Sequence, residues 1–435
     1  MAVNVIGAGL AGSECALQLS KRGIKVNLFE MRPKVSTNAH KTADFAEFVC
    51  SNSLGSDDVT NASGLLKKEM TLLGGELIKM VYDSSVPAGG ALAIDRTLFS
   101  KKVTEKIMAD SNINVINEEV LEIPKTPTVI ASGPLTSEAF SNAIKDFTQS
   151  EHLHFFDAIA PIIEKDSVNF DIAFYANRYD KDAENPAYIN CPMDKEQYEK
   201  FYNFLINAPR IELKDFEKDA KFFESCLPVE VLASRGVDTL RFGPMKPVGL
   251  IDKRTGRENY AVVQLRQDNS AKSLYNLVGF QTNLKWPAQK ELLHLIPSLE
   301  NVNIVRYGVM HRNTFINSPK ILNATLQTRK RKDLFFAGQI SGTEGYTESI
   351  ATGLLAGINM ARFINEEPLL TLPKETMLGA LCSYISNPEN DKFQPINSNW
   401  GIVSPIELPK KERKNKKLKN ELLAKRSIEC FNFPL

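Results

Sequence analysis

Residues 2–32, AVNVIGAGLAGSECALQLSKRGIKVNLFEMR, constrain the fold more than any other stretch of this chain. A short apolar run from Val3 to Ile6 leads into Gly7, Gly9 and Gly12. A helix-like segment follows, then a second apolar run from Val26 to Phe29 that ends in Glu30. Strand, glycine-rich turn, helix, strand and acidic residue in that order form the dinucleotide-binding βαβ arrangement. Gly7 permits the tight turn, Gly9 lets the backbone approach a pyrophosphate, and Gly12 lets helix and strand pack closely. Ala8, Leu10 and Ala11 complete the turn, and the helix start supplies amide donors and a favourable dipole for phosphates. Glu30 stands where a carboxylate takes the adenosine ribose hydroxyls, which favours FAD or NAD over a 2'-phosphorylated cofactor at this site.

A chain of 435 residues has room for two domains, each with its own core. Apolar content of 43% and charged content of 24% are those of an ordinary globular protein. No segment approaches the roughly eighteen consecutive apolar residues of a membrane span. The first twelve residues lack the basic start and removable apolar core of a signal peptide, and they already supply the cofactor strand and turn. Cys15, Cys50, Cys191, Cys226, Cys382 and Cys430 are widely spaced with no CxxC pair, which suits thiols in a reducing cytoplasm. His152 and His154 lack further soft ligands at metal-binding spacing, so no metal is expected.

Near the other end, DLFFAGQISGTEGYTESIATGLLAGINMARFI at 333–364 repeats the pattern of strand, glycine-rich turn and long helix. Gly353, Ala356 and Gly357 line one side of that helix at spacings that allow close packing. A second glycine-rich turn, with Gly338 and Gly345, is expected where an extended FAD is held along its ribityl and isoalloxazine portions. FAD is therefore favoured over NAD as the tightly held cofactor. Residues 64–82 read as helix, VPAGGALAIDR at 86–96 as a turn leading into a helix, and 113–132 as strands returning to the parallel sheet. From about 156 to 324 strand-like runs dominate, interrupted by amphipathic pieces at 195–207 and 288–296. The expected fold is α/β: an FAD-binding Rossmann-like domain made of residues 1–155 and 325–435, with a mixed α/β domain inserted at 156–324.

The net charge of +1 predicts no strong global attraction to nucleic acid. Its distribution says more: KKERKNKKLKNELLAKR at 410–426 holds nine Lys or Arg and two Glu. Such a tract attracts RNA phosphates with a salt-dependent affinity, or is a solvated terminal helix. Arg329 to Lys332, RKRK, offers a second candidate phosphate track, with solubility as its alternative.

The chain closely resembles the folate- and FAD-dependent uridine-5-methyltransferases, the methylenetetrahydrofolate–tRNA-(uracil-5-)-methyltransferases, over nearly its entire length. The resemblance rests on VIGAGLAGSE at 5–14, FEMRP at 29–33, CSNSL at 50–54, VPAGGALAIDR at 86–96 and GPLTS at 133–137. It continues through FGPMKPVGL at 242–250, YAVVQLRQD at 260–268 and RYGVMHRNTFINSP at 306–319. The chain also looks like a smaller relative of the flavoproteins that modify the tRNA wobble uridine. The resemblance implies transfer of one carbon from 5,10-methylenetetrahydrofolate to carbon 5 of a uridine, with reduced FAD taking part and NADPH or NADH as electron source. It implies a structured RNA partner, tRNA in preference to rRNA, with no membrane and no stable protein partner. The same chemistry on a large-subunit rRNA uridine is the principal alternative. An NAD(P)H-dependent oxidoreductase of a small molecule, and an RNA-binding flavoprotein without catalysis, are the others.

Carbon 5 of uracil is a weak nucleophile until a thiolate adds at carbon 6, so a catalytic cysteine is chemically motivated. Cys226, in FFESCLPVEV, reads from the residues either as a nucleophile in a strand-like segment near Glu224 and Glu230 or as a small buried hydrophobe. The resemblance assigns it the attack on carbon 6. Cys50, in EFVCSNSLGS, is by resemblance a thiol beside the isoalloxazine, with packing as its alternative. Tyr346 reads as a stacking partner for a pterin or flavin, or as a core aromatic. Arg96 and Lys246 are candidate donors to folate, flavin or uridine oxygens, or members of ordinary ion pairs; His311, Arg312 and Asn313 form a polar cluster open to similar readings. The chain departs from the family pattern at Lys41, where a second histidine is common, and at Gly55, where arginine is common. Those departures put RNA or folate contacts near Cys50 in question.

Overall fold

The computed structural model describes residues 2–37, 39–149, 153–180, 184, 186–211, 227–252, 254–391, 393–409, 412 and 415–431. The βαβ unit forms as strand Val3–Ile6, helix Leu10–Lys21 and strand Val26–Phe29. Those two strands are the centre of a five-stranded parallel sheet. Its remaining members are Ile113–Ile116 beside Val26–Phe29, Thr128–Ile130 on the other flank, and Leu334–Phe336 at the far edge. Strand Leu334–Phe336, late in the chain, thus joins the sheet begun at the N-terminus, in register with Thr128–Ile130. Near-continuous apolar strands are what a parallel sheet covered on both faces demands.

Helix Tyr346–Ile364 crosses helix Leu10–Lys21 at very short range. A methyl group added at Gly353 would sit 2.2 Å from the Ala11 carbonyl oxygen, and one at Gly357 would sit 2.9 Å from that of Cys15. Small residues on the late helix therefore let the two backbones touch. Cys15 is entirely buried in this core, and burial raises its thiol well above the ordinary range.

Two expected elements take a different form. The stretch 64–82 is two helices, Ala62–Leu72 and Leu77–Asp83, broken at Gly74 and Gly75. The buried Glu14 carboxylate accepts the amides of Glu76 at 2.9 Å and Leu77 at 2.6 Å, so the second helix starts on a side chain from the first βαβ unit. Within 86–96, a strand Ala91–Ile94 lies between turn and helix, pairing with Ser53–Ser56 and Ser85–Val86. Asp95 then caps helix Arg96–Met108 by accepting from Thr97 and Leu98.

A second sheet comprises only strands between Ile162 and Arg306, each antiparallel to its neighbours, in the order Phe174–Tyr175, Tyr188–Met193, Ala261–Gln267, Leu274–Leu277, Ile162–Glu164, Ile304–Arg306. Helices Lys195–Asn207 and Trp286–His294 share its apolar core. Chain enters and leaves this region through a paired ribbon, Leu153–Ala158 against Met310–Phe315. Among the described residues no helix is long and apolar enough to cross a membrane.

Candidate active site

A cleft of about 1010 Å³ opens at the C-terminal ends of the parallel strands, where open α/β sheets bind their ligands. Gly7, Gly9, Leu10, Ala11 and Glu30 line it together with Gly338, Gln339, Tyr346 and Ser349, and Gly338 stands against the Ala11 side chain. Gly7 turns at φ +98°, and a side chain there would strike the Ala131 carbonyl. Gly12 lies against the Gly7 carbonyl, where an added methyl would come within 1.8 Å, whereas Gly9 faces open space. No side chain caps the helix that starts at Leu10 and no acidic residue occupies its first turn. Its first amides are left for an anion.

Ala8 donates its amide to Glu30 Oε2 at 3.0 Å. Glu30 also accepts from Arg32 Nε at 2.9 Å, and Arg32 reaches on to Glu47 at 3.3 Å. Burial by itself would raise the Glu30 carboxyl, but the hydrogen bonds and charge of Arg32 outweigh it and hold the group below its usual range. Glu30 thus stays ionised on the cleft wall, as a ribose-binding carboxylate must. Glu47 in turn accepts the Lys41 and Thr42 amides, fastening the loop ahead of Cys50. His40, on the same wall, is pushed down to about 4 by burial and by Arg32, so it is neutral at physiological pH. An uncapped helix start, an ionised carboxylate at the end of the second strand and a long cleft fit the pyrophosphate, ribose and ring portions of FAD.

The loop Phe48–Cys50 runs beside this cleft, with Val49 on its wall. Arg96 Nη1 donates to the carbonyls of Phe48 at 3.1 Å and Cys50 at 3.0 Å, while its Nη2 meets Asp268 at 2.5 Å. Arg306 Nη2 donates to the Val49 carbonyl at 2.7 Å. Tyr346 packs on Phe48, with ring centroids 4.2 Å apart, and its hydroxyl accepts the Cys50 amide. Tyr346 therefore belongs to the core and to the cleft wall at once. The Cys50 thiol is half-buried, with Sγ 3.6 Å from the Ala158 carbonyl oxygen.

Gly338 is a lining residue whose amide donates to Thr352 Oγ1 at 2.9 Å. Gly345 precedes the late helix and stands against the Glu348 carboxylate rather than on the cleft wall. Gly55 sits at φ +73°, a backbone setting that favours glycine, so an arginine there would be strained. Lys41 contributes to the loop through its amide.

Cys226 and Glu224 lie outside the described residues. Just beyond them the chain is helical, Val229–Ala233, and Glu230 is an anchor: it accepts from Thr282 Oγ1 at 2.8 Å and the Asn283 amide at 2.7 Å. His152 and the side chains of His154, His311 and Arg312 also fall outside what the structure describes, and Lys246 belongs to neither cavity. Cys191 and Cys382 are buried, and burial pushes both up to about 12, which leaves them inert. The RKRK tract serves the fold: Arg329 donates to the carbonyls of Leu322 and Ser386, and Arg331 to those of Pro124 and Thr126 and to Asp333. It sits at the N-terminal ends of the parallel strands, opposite the cleft.

Asn52, Arg266, Asp268 and Arg306 fall within segments that carry the family resemblance, CSNSL, YAVVQLRQD and RYGVMHRNTFINSP, but nothing in those segments singles them out, and Asn276 lies outside them. Alternation along Ala261–Gln267 places Gln264 and Arg266 on one face of a strand in the interior of its sheet, and that was the available signal.

A model of the family described as glucose inhibited division protein A matches residues 2–368. The chain is 57% identical over 429 residues to a methylenetetrahydrofolate–tRNA-(uracil-5-)-methyltransferase, TrmFO, of Bacillus velezensis, covering 99% of this chain and 97% of that one. It is 55% identical to the protein of the same name from Halalkalibacterium halodurans, again over 99% of this chain and 97% of the relative. Among solved structures, Aquifex aeolicus GidA in its form I crystal superposes with a TM-score of 0.69 at 18% identity, covering 99% of this chain and 76% of that one. That likeness shows the shared fold. The form of the cleft, its buried carboxylate and the thiol loop beside it thus occur in a chain that belongs to the TrmFO family of methylenetetrahydrofolate–tRNA-(uracil-5-)-methyltransferases.

Proposed function

We propose that this chain transfers the one-carbon unit of 5,10-methylenetetrahydrofolate to carbon 5 of a uridine in the T-loop of tRNA, giving 5-methyluridine, with FAD as resident cofactor and NADPH or NADH as reductant. One observation carries the reading: the dinucleotide cleft, with its uncapped helix start at Leu10, is walled in part by Val49 and Tyr346, which adjoin Cys50 in sequence and by hydrogen bond. Gly7, Ala8, Gly9, Leu10, Ala11, Gly12 and Glu30 would hold the adenosine and pyrophosphate, and Gly338 and Tyr346 the ring end. Bound there, reduced FAD supplies the hydride that completes the methyl group.

The chain's own residues set the stage for that chemistry. Arg96 and Arg306 fix the carbonyls on either side of Cys50, so the thiol keeps one position relative to the cleft. Their guanidiniums, together with Arg266, give the surroundings of Cys50 a positive field. Cys226 is the proposed nucleophile at carbon 6, and Cys50 the thiol next to the flavin. The RNA substrate would be held through phosphates by the exposed lysines of the C-terminal helix, and its base turned out to reach the cleft. A tRNA substrate and a nicotinamide reductant place the work in the cytoplasm.

The test is reconstitution. Purified protein should be yellow, and with methylenetetrahydrofolate and NADPH or NADH it should form 5-methyluridine in an unmodified tRNA transcript, read by mass spectrometry of nucleosides. A flavin-loaded protein that modifies an rRNA fragment and leaves tRNA untouched would move the assignment to rRNA. One that oxidises NADPH and modifies neither RNA would refute the function.

A further inference from the structure

Beside the flavin cleft lies a second cavity of about 490 Å³, lined by Cys50, Ser51, Ala160, Arg266, Asn276 and Gln281 among others. Arg266 reaches it from strand Ala261–Gln267, and its guanidinium is set by two amides. Nε donates to Asn52 Oδ1 at 3.1 Å and Nη2 to Asn276 Oδ1 at 3.3 Å. Asn52 is itself fully buried and donates to the carbonyls of Ile94 and Gln267, both at 2.9 Å; Asn276 donates to Asn52 and Asp268. Every group that orients Arg266 is thereby locked from more than one side.

Charge is not balanced here. Asp268 is taken by Arg96 at 2.5 Å, and among the described residues no carboxylate lies within ion-pair distance of Arg266 or Arg306. A guanidinium has five N–H groups, and the described structure uses two of those on Arg266. Arg266 is part-buried, and its remaining donors are available to an acceptor that enters the cavity. The Gln281 side-chain amide, with an acceptor and two donors, makes no hydrogen bond among the described residues and lines the same cavity. Its backbone carbonyl accepts the Val229 amide at 2.7 Å, which ties this wall to helix Val229–Ala233.

We propose that this cavity seats the target base, a uracil turned out of its RNA strand, with a ring carbonyl on the Arg266 guanidinium and the ring imide edge on the Gln281 amide. The inference rests on the proposed function and assigns its substrate subsite. Uracil presents two carbonyl acceptors flanking one N–H, which matches an unspent guanidinium and a carboxamide. Arg266 would also act in catalysis. When a thiolate adds, the new S–C6 bond forms while the C5–C6 π pair moves through C4 onto the 4-oxygen; nothing leaves. That oxygen becomes anionic, and a preorganised donor there stabilises it more than it stabilises the ground-state carbonyl. That pair then returns through C4 to form the bond from C5 to the one-carbon electrophile; the C5 proton leaves afterwards, its bonding pair closing C5–C6 as sulfur departs with the C6–S pair.

The experiment uses the FAD-loaded enzyme with methylenetetrahydrofolate, a nicotinamide reductant and a T-arm hairpin carrying 5-fluorouridine at the target position, whose covalent protein–RNA adduct is read on denaturing gels. Arg266→Gln and Arg266→Lys are compared after each is shown to bind FAD and the unsubstituted hairpin. Arg266→Gln should slow adduct formation about 100-fold, with Arg266→Lys recovering some of that loss. Adduct formation within about threefold of wild type in an FAD-loaded Arg266→Gln protein overturns the assignment. So does a variant defect that saturating methylenetetrahydrofolate fully restores, since the cavity would then belong to the folate. A wild-type enzyme that leaves RNA unmodified defeats the proposed function and this subsite with it.

Discussion

The Tyr346 hydroxyl accepts the Cys50 amide hydrogen at 2.6 Å, across 296 positions of chain. One side chain thus joins the start of the late helix to the thiol loop, and does so from the wall of the flavin cleft. The bond sets the height of the thiol above the cleft floor. Tyr346→Phe keeps the ring on Phe48 and takes the hydroxyl away from the Cys50 amide. We expect about 1 kcal/mol lost in loop placement, read as a roughly fivefold fall in kcat with FAD content retained. A fall in FAD content with unchanged kcat per flavin would instead mean that Tyr346 serves the cofactor alone.

The glycine-rich turn separates folding from binding. Gly12 has the Gly7 carbonyl where a Cβ would go, whereas Gly9 has nothing within 4 Å. Gly12→Val should therefore damage the fold itself, by more than about 3 kcal/mol, since backbone must move to admit it. Gly9→Val should fold as well as wild type and lose FAD. Melting curves of the FAD-free proteins, set against flavin absorbance of the purified ones, decide it; equal melting temperatures for the two variants would sink the distinction.

Much of this was legible in the sequence because it is local. The βαβ unit declares itself in thirty consecutive residues, and the small residues of the late helix imply a close crossing that the Gly353–Ala11 contact supplies. What escaped was assembled from afar. Arg266 takes its meaning from Asn52, 214 positions away, and Arg331 looks like a phosphate ligand until Pro124 and Thr126 are seen to occupy it. A basic run carries no mark of which carbonyls it will meet, and an arginine in a strand carries none of its missing carboxylate. Gly55 is the converse case: the departure from arginine reads as a loss in sequence and as a backbone requirement at φ +73° in the fold.

Stability should respond to pH through Glu69. Its carboxyl accepts from the Met377 amide at 2.6 Å, the Leu378 amide at 2.8 Å and Ser427 Oγ at 2.5 Å, joining helix Ala62–Leu72 to helix Met377–Ile385 and the C-terminal helix Lys416–Glu429. Burial raises it to about 7, more than those three donors lower it. A raised carboxyl favours folding fully below its unfolded value near 4.5, and that contribution is lost as pH climbs through 7. The shift bounds the effect at about 3 kcal/mol. Between pH 5 and pH 8, wild type should lose melting temperature relative to Glu69→Gln, whose amide does not titrate. Parallel curves for the two proteins would show that Glu69 is ionised throughout.

The two basic tracts should behave in opposite ways. In helix Lys416–Glu429, Leu423, Ala424 and Ser427 face the body while Lys416, Lys417 and Lys419 stay exposed. Asn420 donates to the Thr60 carbonyl at 3.0 Å, which puts the basic face beside the turn that follows Cys50 and strand Ser53–Ser56. Exposed lysines suit phosphate contacts; Arg329 and Arg331, engaged by carbonyls, do not. Replacing Lys416, Lys417 and Lys419 by Ala should weaken tRNA binding and flatten its dependence on salt by about 0.7–0.9 log units per contact removed. Arg331→Ala should leave affinity and salt slope alone and cost about 1–3 kcal/mol of stability through its abandoned carbonyls and Asp333. Binding titrations at several salt concentrations, with melting curves alongside, read both effects. An unchanged salt slope in the triple lysine variant would take the RNA off this helix and require another surface to carry it.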